Sequence, residues 1–145
     1  MTSNNQPQSV GQQIKQHMIA IISMIIAITS LSYNTWRNEV TEHNRNVRTS
    51  SFEILKSLAE LQLLVDSTYY DKAPLDNIRG WRFVLYINDL SKTVNLAVES
   101  DAAQLHNLWG DHWQHLETKS DSNEQVNKAI EEVRSEVLST LNELD

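Results

Sequence analysis

The chain has 145 residues with 12 Lys/Arg against 19 Asp/Glu, a formal net charge of −7, and no cysteine. That balance argues against nucleic-acid binding, which needs a basic face, and the missing thiols exclude disulfides, thiolate metal sites and a cysteine nucleophile. Three Gly and two Pro are too few turn formers for an all-β protein, so the class is all-α.

Residues 1–13 are polar, rich in Asn, Gln and Ser, and read as a disordered tail. The stretch Met18–Trp36 follows, uncharged from Met18 to Tyr33 and with six Ile among its first eleven residues. A membrane-spanning helix needs about 20 residues. Ile14 and the stem of Lys15 lengthen the run at one end, while Tyr33 and Trp36 form an interfacial aromatic pair at the other, with Arg37 marking the water side. Residues 14–36 are therefore expected to be a transmembrane anchor whose partner is the lipid bilayer. Ser23, Thr29, Ser30 and Ser32 are tolerable there because hydroxyls bond carbonyls one turn back. Two rivals are a cleaved signal peptide, with Ser30-Leu31-Ser32 as a small-x-small site, and the core helix of a soluble protein. Lys15 stands alone before the span, whereas Arg37, Arg45 and Arg48 follow it, so positive-inside counting leans towards a cytoplasmic carboxyl-terminal domain.

Residues 37–145 hold 11 of the 12 Lys/Arg and every Asp/Glu, a net of −8, and make one acidic helical bundle domain. From Arg37 nothing breaks a helix before Pro74, so the spanning helix runs on to about residue 70. At about 100° per residue, Val47, Ser51, Ile54, Leu58, Leu61, Val65 and Tyr69 fall in one stripe, with Leu55 widening it. Glu42, Arg45, Glu53, Lys56 and Glu60 make the solvated side. The polar run 38–48 reads as a solvated stalk, or as a polar contact with a partner or a second copy.

A second helix is expected over about 75–98, with the stripe Phe83, Ile87, Leu90, Val94 and Ala97. Leu85 and Leu96 on its opposite face would bury it on two sides. Gly80 in its first turns costs about 1 kcal/mol against Ala, so either the start is ragged or something packs close. Ser100 or Asp101 would cap a third helix over about 101–118, stacking Leu105, Leu108, Trp109, His112 and Leu116. The fourth, about 123–144, carries Val126, Ile130, Val133, Val137, Leu141 and Leu144. Four amphipathic segments with short turns predict an up-down bundle whose first helix doubles as the anchor.

Among candidate sites, His106, His112 and His115 cluster near Asp101, Asp111 and Glu117. His112 and His115 are weak metal candidates, three apart rather than the preferred four and diverging on the wheel. A buried His112 would more simply be a neutral ring bonded to a neighbouring helix. Trp81, Trp109, His112 and Trp113, with the tyrosines, would line a small-ligand pocket or else serve as core. Arg79 and Arg82 bracket Trp81 as an anion clamp or as surface ion pairs. No phosphate loop, nucleophile elbow or paired-carboxylate motif is present, so neither an enzyme nor a cofactor is expected.

The segment Ser30-Leu31-Ser32-Tyr33-Asn34-Thr35-Trp36-Arg37-Asn38-Glu39, continuing to Arg45-Asn46-Val47-Arg48, resembles a family of small uncharacterised bacterial proteins. Its members have one amino-terminal span and a helical remainder, and the likeness is sharpest from Ser30 to Tyr70. The resemblance implies a bacterial source and an inner-membrane setting, with no catalytic residue to carry over. More loosely, the architecture looks like that of bacterial sensor domains. The expected function is a membrane-anchored protein-interaction or scaffolding module, working through an unknown protein partner or self-association. The alternative is a ligand- or metal-sensing bundle.

Overall fold

A computed structural model describes residues 10–144. Its order is α1 (Val10–Tyr70), α2 (Asn77–Ser91), α3 (Leu96–His112), a 3₁₀ turn (Trp113–His115) and α4 (Ser120–Glu143), with no strand among the described residues. The chain divides into two units, Met1–Glu42 and His43–Asp145.

In the first unit α1 is one exposed helix. Residues 1–9 of the expected tail lie outside the described residues, while Val10–Gln13 already belong to α1. Among the described residues this helix is the one long and apolar enough, by length and composition, to cross a membrane, and no part of its most apolar 18-residue window is buried in protein. The hydroxyls of Ser23 and Thr29 donate to the carbonyls of Ile19 and Ile25, each at 2.8 Å, so neither needs a solvent partner.

In the second unit four helical segments form a ring. α1 flanks α2 through the Arg79–Glu60 ion pair and flanks α4 through Gln62, whose amide donates to Asn127 at 2.9 Å. α3 closes the ring by packing on α2 and α4. The connections are short, which makes sequence neighbours antiparallel. The expected α1 stripe is the buried one: Val47, Ser51, Ile54, Leu58, Leu61 and Val65 are closed off from solvent, with Tyr69 half-buried. They meet Val84 and Ile87 of α2, Leu105 and Trp109 of α3, and Val126, Ile130, Val133 and Val137 of α4. Each such aliphatic side chain contributes about 1.5–3 kcal/mol of transfer free energy.

Helix boundaries depart from expectation around α2 and α3. α2 stops at Ser91 rather than 98, and α3 begins at Leu96 rather than 101. The cap is Asn95, not Ser100 or Asp101. Its Oδ1 accepts from the Val98 N–H at 2.8 Å while its amide donates to Thr140 of α4 at 2.8 Å. α3 ends at His112 and tightens into the 3₁₀ turn, and α4 starts at Ser120, three residues early. Leu85 and Leu96 are 47% and 84% exposed and Ala97 is exposed, so α2 has a single inner face, Gly80, Val84, Ile87 and Ser91.

Gly80 is where something packs close. A Cβ there would lie 2.2 Å from Cζ2 and 2.6 Å from Cη2 of Trp109. The indole lies against bare backbone, and its buried Nε1 has no hydrogen-bond partner. Trp109 is held by shape rather than by its polar atom.

Candidate functional site

The residues expected at a membrane interface lie on exposed turns of α1. Lys15, Tyr33, Trp36 and Arg37 are all exposed, and the Tyr33 and Trp36 rings are 6.1 Å apart and tilted by 47°. Over 38–46 the polar run is exposed apart from half-buried Asn44, and Val47 opens the buried row.

The aromatic residues of α2 and α3 do not share one pocket. Trp109 is fully buried and fills the space between the helices. Trp81 stands edge-on to it at 6.5 Å and edge-on to His106 at 5.6 Å. Trp113 belongs to a separate cavity of about 260 Å³ with Thr68, Leu75, Asn77, Gln114 and Glu117. The Thr68 hydroxyl is buried without a partner. His112, half-buried, places Nδ1 3.1 Å from the Ser122 hydroxyl of α4, and His115 is exposed in the 3₁₀ turn. No group of three or more His, Asp or Glu side chains among the described residues is arranged to hold a metal ion. Arg79 and Arg82 gather on Phe83 rather than around Trp81, with guanidinium carbons 5.5 and 5.0 Å from the Phe83 ring centre.

One polar network ties α1 to α4, and one carboxylate opposes another across α3 and α4. Gln62 and Asn127 both donate to Asp66, and Asn127 also donates to Asn123 at 3.2 Å, a chain that fixes the register of α1 against α4. On α3, burial and then the Glu132 carboxylate push the Asp101 carboxyl above its ordinary range.

A row on the outer side of α1 escaped the sequence reading. Phe52, Leu63 and Tyr70 are 57%, 62% and 69% exposed, and Ala59 between them is exposed too. At about 100° per residue these four cluster roughly opposite the buried stripe. The wheel assigned that side to Glu53, Lys56 and Glu60, which flank or interrupt the row. Its signal was the recurrence at intervals of seven, four and seven.

No family model, curated protein or solved structure matches the chain.

Proposed function

We propose that the chain is a single-pass membrane-anchored helical module that binds another protein along the outer side of α1. The observation that carries it is the row Phe52, Ala59, Leu63 and Tyr70. Three large apolar side chains, each more than half exposed and all on one helix face, are of the sort that marks an interaction site, with Lys56 standing between Phe52 and Ala59. The uncharged run of α1 supports the anchor, and the resemblance noted above supports the bacterial inner membrane as its setting. We assign the chain no catalysis of its own.

The test is a photo-crosslinking amino acid at Leu63 in cells, with Ala103 on α3 as control. Adducts at 63 and none at 103 are expected; no adduct at 52, 63 or 70 would overturn the proposal. A one-sided reporter fused after Asp145 gives the orientation, with a cytoplasmic signal expected from the arginine count.

A second reading, ligand sensing, draws on the cavity beside Trp113 and the partnerless Thr68 hydroxyl. A rise in melting temperature with a small polar compound, abolished by Thr68→Val, would support it. A flat response over a broad panel would remove it.

A further inference from the structure

We infer that the cavity beside Trp113 binds a small primary ammonium ion, an inference that rests on the ligand-sensing reading above and names its ligand. The cavity lies at the end of the bundle where α1 finishes and α2 begins. Thr68 comes from the last turn of α1, Leu75 and Asn77 from the entry to α2, and Trp113, Gln114 and Glu117 from the 3₁₀ turn and the residues after it. Thr68 is 1% exposed, and its hydroxyl meets no partner. On the same helix the hydroxyls of Thr29, Thr41 and Thr49 each donate to the carbonyl four residues back, so Thr68 departs from the local habit. A buried hydroxyl left unpaired is costly, and a ligand that pairs it removes the cost.

The rest of the lining sets the chemical class. Glu117 is the one charged side chain among the six, and its carboxylate makes no hydrogen bond or ion pair among the described residues. Asn77 and Gln114 are exposed and can each present a carbonyl oxygen. Trp113 adds a half-buried indole, the ring that attracts cations best. An anion here would face Glu117, and a quaternary ammonium has no hydrogen to give Thr68. A primary ammonium carries three N–H donors, enough for the Thr68 oxygen, the Glu117 carboxylate and one amide oxygen. The volume of about 260 Å³ is that of roughly eight or nine waters, so the ligand is small.

The protein already holds an ammonium of its own beside the site. Lys72 donates to the Glu117 carbonyl at 3.1 Å and stands 4.9 Å from the centre of the Tyr69 ring, so a carbonyl and an aromatic face suit such a group at this end of the bundle. Its bond also ties the α1–α2 connection to the residue that supplies the carboxylate. Lys72 has φ 54°, a left-handed conformation uncommon outside glycine, and such strain persists where surrounding contacts hold it and gathers at ligand clamps. The domain carries a net of −8, which favours cations at its surface despite Lys72.

The test follows melting of the full chain in neutral detergent at pH 7 and constant ionic strength. Propylammonium is expected to give a saturable rise in melting temperature, with acetate, acetamide and tetramethylammonium at least tenfold weaker. Glu117→Gln should weaken the response at least tenfold and Thr68→Val abolish it, while Glu143→Gln, at the far end of α4, should leave it unchanged. Thr68→Val replaces the unpaired hydroxyl by a methyl of similar shape, so the variant is expected to fold and melt like wild type without ligand. A rise that survives both Thr68→Val and Glu117→Gln would be a salt effect and would overturn the inference. A Thr68-dependent rise with acetate, acetamide or tetramethylammonium, equal to or above that with propylammonium, would remove the primary ammonium and leave ligand sensing standing. No rise with propylammonium would overturn the inference, and a flat response over the broad panel as well would remove the reading beneath it.

Discussion

Gly80→Ala is expected to destabilise the bundle even though it places a better helix former inside a helix. The added methyl would sit 2.2 Å from Cζ2 of Trp109, where carbon atoms normally rest about 3.5–4 Å apart. The indole is fully buried, so it has no solvent side into which to retreat. Overpacking of this severity costs about 3 kcal/mol, and the gain in helix propensity returns about 1, leaving a net loss of about 2 kcal/mol. For a domain near 100 residues this lowers the melting temperature by about 8–16 °C. Near-ultraviolet circular dichroism of the full chain in detergent reads the loss through its tryptophans.

Two companion variants make the reasoning specific. In a Trp109→Phe background, whose ring stops short of the clashing atoms, Gly80→Ala should be neutral or favourable, a coupling of about 2 kcal/mol. Gly110→Ala should stabilise by up to about 1 kcal/mol, because its new methyl would lie 3.6 Å from Trp81, an ordinary contact. A Gly80→Ala protein that melts at or above the wild-type temperature would refute the account.

Asn95→Ala should cost about 1–3 kcal/mol in urea unfolding, since it removes the α3 cap and the bond to Thr140 together; Asn95→Asp, which keeps the cap, should lose less. Asp101→Asn should raise the melting temperature at pH 7. The raised carboxyl of Asp101 means that wild-type stability is fully present below the ordinary aspartate range and falls as pH rises through the folded value, so the gain should vanish below about pH 4. A gain that instead grew on acidification would invert the assigned cause. Ile25→Lys, at the middle of the uncharged run, should cost insertion about 2.5–3.5 kcal/mol and move the protein into the alkaline-carbonate supernatant. Unchanged retention in the pellet would count against the anchor.

The parts of the fold that were legible in the sequence are those set by local pattern. Nothing between Gly11 and Pro74 interrupts α1, and its row from Val47 to Val65 is regular enough to identify the inner face. The α2–α3 boundary was not legible, because Val94-Asn95-Leu96 looks like the interior of an apolar run. What makes Asn95 a cap is its second bond, to Thr140, 45 residues away. Gly80 left a ragged start and a close approach both open and named no partner, since Trp109 lies on another helix. At the candidate sites, aromatic spacing on α3 failed to separate a pocket lining from a space filler. Only packing decides that Trp109 fills and Trp113 lines.

The outer row of α1 is not overflow from the core. Ile54, Leu58, Leu61 and Val65 already close the inner side with no exposed surface, and among the described residues there is no further helix to lay against the opposite side. Glu53, Lys56 and Glu60 show that this stretch of helix carries charge readily where it meets water. Phe52, Leu63 and Tyr70 therefore contribute little to folding: truncating side chains this exposed generally changes stability by about 0.5 kcal/mol or less. The same side chains leave apolar surface in water, a free energy recovered only when another surface covers them. Folding accounts for one side of α1 and leaves the other unexplained.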